Sequence, residues 1–119
     1  MNDDALAKGI AEFNRGDFYA CHDTLEAIWM QAPPGEKNFY QGILQIAVGF
    51  YHLQNGNQRG AAILLGEGIR RLGAFLPHHR GLALTPLVEA SYRLLETLQT
   101  APSFPLESFC PPQIFWLEE

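Results

Sequence analysis

The chain has 119 residues, of which 47% are hydrophobic and 18% charged, with a formal net charge of −5. That length suits one domain with a core of its own, and that composition excludes a disordered acidic tail or a low-complexity protein. The negative balance argues against nucleic acid as a partner, because phosphate binding needs a basic face. The longest apolar segment, Ile43 to Leu53, is interrupted by Gln45 and His52 and is too short to span a bilayer, so no membrane role is expected. Met1-Asn2-Asp3-Asp4 has neither the basic start nor the apolar stretch of a signal peptide, so the expected location is cytoplasmic. Cys21 and Cys110 match no zinc spacing and are too few for a disulfide framework.

Helical spacing recurs along the chain. Asp3-Asp4 opens a first helix with Leu6, Ile10 and Phe13 on one face, and Gly16 ends it. Asp17 reads as the N-cap of a second helix, from about Phe18 to Gln31, with Phe18, Cys21, Leu25, Ile28 and Trp29 at threes and fours. Pro33-Pro34-Gly35 makes a turn. A third helix, from about Glu36 to Gln54, is apolar nearly all round and therefore belongs at the centre, and Gly42 and Gly49 would let a neighbour approach closely. Gly56 suits a left-handed C-cap and Asn57 an N-cap for a fourth helix, from about Gln58 to Phe75, whose Glu67 and Arg71 fit a solvated face. Gly66, Gly68 and Gly73 lie inside that helix, so they fit close packing rather than a phosphate loop. Pro77 to Gly81 reads as a loop, and Thr85-Pro86 as N-cap and first position of a fifth helix.

From Thr100 the periodicity dissolves among Pro102, Pro105, Pro111 and Pro112. The apolar residues there, Phe104, Leu106, Phe109, Ile114, Phe115, Trp116 and Leu117, require cover, either by wrapping on the bundle or by docking on a protein partner or a second copy. No segment alternates, so no sheet is expected. The expectation is a single all-α domain over residues 1–119. It is a bundle of four to five helices over about 3–99, with a Pro-rich extended C-terminal tail over about 100–119 packed on it.

One polar constellation stands out. His22, Glu26 and Trp29, at i, i+4 and i+7, share a face of the second helix, and Gln41, Gln45 and His52 share a face of the third. Antiparallel packing of the two would set Glu26 near Gln41 and His22 near Gln45, with His52 a turn or two beyond. His22 and Glu26 with His52 as third ligand could hold a divalent metal and activate water for hydrolysis. Gln41, Gln45, Trp29 and Asp23 would then support the ligands. The alternative is a structural polar network that fixes helix register inside a non-catalytic binding module, and base rates favour it. Cys21 points about 100° away from His22 and reads as core. His78-His79 and the Arg70, Arg71 and Arg80 group read as exposed surface.

His22-Asp23-Thr24-Leu25-Glu26-Ala27-Ile28-Trp29 resembles the His-x-x-x-Glu-x-x-Trp signature of the prokaryotic family called domain of unknown function 309. The likeness continues through Phe39-Tyr40-Gln41-Gly42-Ile43-Leu44-Gln45-Ile46-Ala47, Tyr51-His52-Leu53 and Gly56-Asn57-Gln58-Arg59-Gly60-Ala61, covering about Phe13 to Leu72. Asp23 departs from it, standing where members often carry glutamate. The resemblance implies a small helical bundle with a metal site at the signature, and no assigned reaction.

Overall fold

Apolar residues at threes and fours fold into helices in the computed structural model, which describes residues 3–118. The helices are α1 (Asp3–Asn14), α2 (Phe18–Gln31), α3 (Pro34–Gln54), α4 (Gln58–Leu72) and α5 (Thr85–Thr100). Each packs on its neighbours in sequence, the α3–α4 interface being the most extensive. The connections from α1 through α4 are short, as antiparallel neighbours require, whereas residues 73–84 separate α4 from α5. Gly16 (φ 84) and Gly56 (φ 77) take the left-handed conformation that ends α1 and α3. Asn57 caps α4 by accepting the Gly60 N–H at 2.9 Å.

Two caps differ from expectation. The Asp17 side chain makes no capping bond and instead accepts from Arg15 Nε at 3.1 Å. Helix α5 begins at Thr85, so Leu84 holds the N-cap position and Pro86 lies one place further in. Past Leu72 the fourth helix tightens into a 3₁₀ turn over Gly73–Phe75.

The centre is α3. Phe39, Tyr40, Ile43, Ile46, Ala47 and Phe50 have no exposed surface. Phe13, Phe18 and Phe50 join α1, α2 and α3 through tilted and edge-on ring contacts, with centroids 5.1–5.8 Å apart. On the other side α4 approaches along Gly42 and Gly49. A Cβ at Gly42 would sit 2.8 Å from Leu72 Cδ2, and one at Gly49 3.1 Å from Leu65 Cδ2. At Gly68 a Cβ would sit 2.7 Å from the Gly42 carbonyl oxygen.

A small sheet corrects the all-loop expectation after α4. Strands β1 (His78–His79), β2 (Leu82–Ala83) and β3 (Phe115–Trp116) pair antiparallel in the order β1-β2-β3. Arg80 (φ 50) and Gly81 (φ 82) are both left-handed, which is the turn geometry that closes a two-residue hairpin loop. Strands of two residues cannot show an alternating pattern, so periodicity missed them.

Residues after α5 run back over the bundle. Gln58 donates to the Leu98 and Ala101 carbonyls and accepts the Phe104 N–H at 3.0 Å. Asn14 does the same for Ile114, donating to its carbonyl at 2.9 Å and accepting its N–H at 2.7 Å. Ile114 is buried in the core, while Phe115, Trp116 and Leu117 stay exposed. Among the described residues no helix is long and apolar enough to cross a membrane.

Gly68→Ala is expected to destabilise the protein by about 2 kcal/mol, the overpacking cost exceeding the gain in helix propensity. Gly66→Ala on the same helix, where an added Cβ meets only Leu95 at 3.9 Å, is expected to stabilise by up to about 1 kcal/mol. Urea unfolding of the two variants measures both.

Candidate functional site

Helix α2 buries Phe18, Cys21, Leu25 and Ile28. His22, Glu26 and Trp29 each stand one position beyond a buried residue, so they lie along the edge of that stripe. His22 Nδ1 is 3.1 Å from Asp23 Oδ1, and its Nε2 is 3.7 Å from Glu26 Oε2. The two carboxylates therefore face opposite nitrogens of one imidazole. They cannot share an ion with that ring.

The proposed third ligand is elsewhere. Tyr51 packs its ring on Tyr19 of α2, with centroids 5.3 Å apart. The next residue, His52, is turned about 100° from it, and its Nδ1 lies 3.5 Å from Asn57 Nδ2 at the start of α4. Among the described residues no three His, Cys, Asp or Glu side chains are arranged to hold a metal ion. His22 and Glu26, at the signature, and His52, the third ligand expected from the facing helix, form no such group there.

Glu26 and Gln41 do come together, as antiparallel packing requires. With Trp29 and Leu44 they line a cavity of about 100 Å³. The Trp29 indole N–H is buried and has no hydrogen-bond partner among the described residues. Lys37 closes the end of α2 beside it, donating to the Trp29 carbonyl at 2.6 Å with its ammonium 4.6 Å from the indole centroid.

Gln45 departs from expectation. It stands about 100° round the helix from Leu44 and so faces α4 rather than His22. Its amide donates to Glu67 Oε1 at 3.3 Å, and its carbonyl oxygen accepts from Arg71 Nε at 3.0 Å. Arg71 also donates to Asn38. The exposed Glu67 and the half-buried Arg71 are therefore also tied to α3.

Two polar groupings escaped the sequence. Glu36, in the first turn of α3, accepts from His79 Nε2 at 2.8 Å and Arg80 Nε at 2.6 Å. The His79 ring lies between Phe39 and Phe75, 4.7 Å from each centroid, so this histidine anchors the hairpin rather than lying exposed. Burial pushes the Glu36 carboxyl up, but hydrogen bonds from Arg80 and His79 and their charges outweigh it and hold the group below its ordinary 4.5. A separation of 43 residues to His79 leaves no local signal for that contact. Glu12 is the other: it is buried, accepts from Thr24 Oγ1 at 2.6 Å and lies 3.7 Å from Lys8 Nζ. Lys8 and Glu12 are an i, i+4 pair, a signal that was present in the sequence.

This fold and face define a small helical bundle with a small cavity at the α2–α3 junction. The chain belongs to the family described as domain of unknown function (DUF309), whose profile matches residues 6–64, from α1 into α4. It is 38% identical over 85 residues to the uncharacterized protein YpuF of Bacillus subtilis (strain 168), covering 71% of this chain and 46% of that protein. It is 27% identical over 73 residues to an uncharacterized protein of Aquifex aeolicus (strain VF5), covering 60% of this chain and 22% of that one. In these matches the chain spans less than half the length of either curated relative.

The ionised Glu36 carboxylate contributes stability that is complete above its ordinary 4.5 and is lost as pH falls through its lower folded value. The stability gap between the parent and Glu36→Gln, followed by urea unfolding from about pH 7 to about pH 3, is expected to shrink across that acid range. Burial, then the Glu12 charge, push the Cys21 thiol up to about 12, against a smaller opposite pull from a Phe13 backbone hydrogen bond. A thiol reagent is expected to label the exposed Cys110 alone in native protein and Cys21 only after unfolding; titrating reactive thiols in the two states checks this.

Proposed function

We propose that the protein is a non-catalytic binding module that takes a protein partner on the α2–α3 face. The carrying observation is the cavity on that face, which Glu26, Trp29, Gln41 and Leu44 line. The cavity supports the same reading by its size. At about 100 Å³ it falls short of the ~300–1,000 Å³ of small-molecule sites, yet it has room for one functional group of a larger molecule. His22, held between Asp23 and Glu26, fixes the carboxylate at the cavity's edge. Gln45 with Arg71 and Glu67 supplies the structural part of the polar set by tying α3 to α4.

A photoreactive amino acid in place of Met30, which neighbours Trp29 and is 68% exposed, tests this in the native cell. The expected result is a covalent adduct of discrete mass to one protein, lost when Trp29→Phe is added. No adduct, or an adduct indifferent to Trp29→Phe, overturns the reading.

A further inference from the structure

Strand β3 is an outer edge of the three-stranded sheet, since the order is β1-β2-β3. Its pairing to β2 sets Trp116 opposite Leu82 and Phe115 opposite Ala83. Leu117 donates its N–H to the Gly81 carbonyl at 2.7 Å. In an antiparallel pair the residues that bond to the neighbouring strand alternate with those that do not. Phe115 and Leu117 therefore turn their peptide groups toward β2. Trp116 turns its N–H and C=O outward, where among the described residues no strand lies. The side chains on this edge are Phe115, Trp116 and Leu117, which are 58%, 44% and 43% exposed. Edge strands in soluble proteins are ordinarily blunted by lysine, proline or a bulge. This one carries three large apolar residues in a row.

We propose that β3 is a pairing edge for a second copy of this chain, the two strands running antiparallel about a twofold axis at Trp116. The inference is independent of the α2–α3 cavity. Each Trp116 then donates its N–H to the carbonyl of the other, and the two sheets join into one of six strands. Phe115 of one copy falls opposite Leu117 of the other, so each exposed apolar side chain meets an apolar one across the strands. The run is apolar on both sides of Trp116, which makes it self-complementary, as a twofold contact requires. Charge selects the antiparallel direction. Glu118 is exposed, and in-register parallel strands would set the two Glu118 carboxylates side by side. Antiparallel strands place them four positions apart, about 13 Å, beyond the ~8 Å screening length at physiological salt. Area sets the strength. At these exposures the two rings leave about 150–250 Å² uncovered per copy, and Leu117 adds to it. That is well below the ~800 Å² per partner of a standard interface, so the dimer forms and parts with concentration.

Sedimentation velocity of the full chain between about 10 μM and about 1 mM, the range of weak association, is expected to show a shift from monomer to dimer. Trp116→Pro removes the outward N–H and the ring but none of the backbone bonds to β2. Proline is tolerated at such an edge position, and the variant is expected to abolish the shift. Register is read by disulfide formation in a Cys110→Ser background, Cys21 being buried. Phe115→Cys and Leu117→Cys are mixed, one of them isotopically labelled. Across the axis, positions 115 and 117 are directly opposed, about 4.5 Å apart at Cα and within disulfide reach. Two residues 115, or two residues 117, stand more than about 7 Å apart, out of reach. The mixture is therefore expected to yield a dimer of one labelled and one unlabelled chain, and each variant alone to yield none. A monomer at every concentration overturns the proposal, as does a dimer that persists in folded Trp116→Pro. Linkage of Phe115→Cys to itself as readily as to Leu117→Cys also overturns it. Should Trp116→Pro fail to fold, the cysteine variants decide alone, because they replace exposed side chains and keep every backbone N–H of the strand.

Discussion

The backbones of α3 and α4 meet at Gly42 and Gly68, and the arrangement of the other elements follows from that contact. With a Cβ at Gly68 falling 2.7 Å from the Gly42 carbonyl oxygen, no side chain fits between the two helices there. Leu72 and Leu65 fill the space above Gly42 and Gly49 instead. Close approach concentrates the apolar burial of α4 on one side of α3. The other side is then free for α2, and α1 adds Phe13 to the rings of Phe18 on α2 and Phe50 on α3. A helix buried from both sides has little room for polar groups. Gln45 is buried there, and it is tolerated because Arg71 and Glu67 of the tightly held α4 complete its amide hydrogen bonds.

The segment after α5 is secured by a different device. Its prolines carry no N–H, so they interrupt the run of backbone donors that could fasten it. Those at Phe104, Ile114 and Leu117 are all used, the first two by the side-chain amides of Gln58 and Asn14 and the third by the Gly81 carbonyl. Asn14 and Gln58 each offer a donor and an acceptor on one planar group, which lets one side chain stand in for a strand's worth of backbone pairing. Ile114 then inserts into the core between these fastenings. The hairpin that receives β3 is itself pinned by His79 and Arg80 to Glu36, so the segment, the hairpin and the start of α3 form one connected assembly.

The helices were legible because each presents an apolar stripe of regular period, and α3 declared its central place by being apolar on nearly every face. Gly42 and Gly49 marked a line of close approach on α3, but not that α4 would be the helix to take it. What the pattern did not carry was direction within the polar set. Gln41, Gln45 and His52 share a face to within a few tens of degrees, but α3 is flanked by α2 and α4. That spread is enough to send Gln41 toward Glu26 and Gln45 toward Arg71. His52 goes with Gln45, away from His22, because Tyr51 occupies the side facing Tyr19. The hairpin was illegible for a different reason: two-residue strands have no period, and the Glu36 contacts that hold them join residues far apart in sequence.

The two polar groups on α3 therefore stand in different physical situations although their sequences look alike. On the α4 side every demand is met within the protein, by Arg71 and Glu67 for Gln45 and by Asn38 for Arg71. That network fixes register and offers nothing to a ligand. On the α2 side the seam with α4 has drawn Gln45 away, leaving Gln41 as the α3 amide that lines the cavity with Glu26 and Trp29. The packing of α3 against α4 thus decides which polar face is structural. The remaining one keeps the Trp29 indole N–H buried and, among the described residues, without a hydrogen-bond partner.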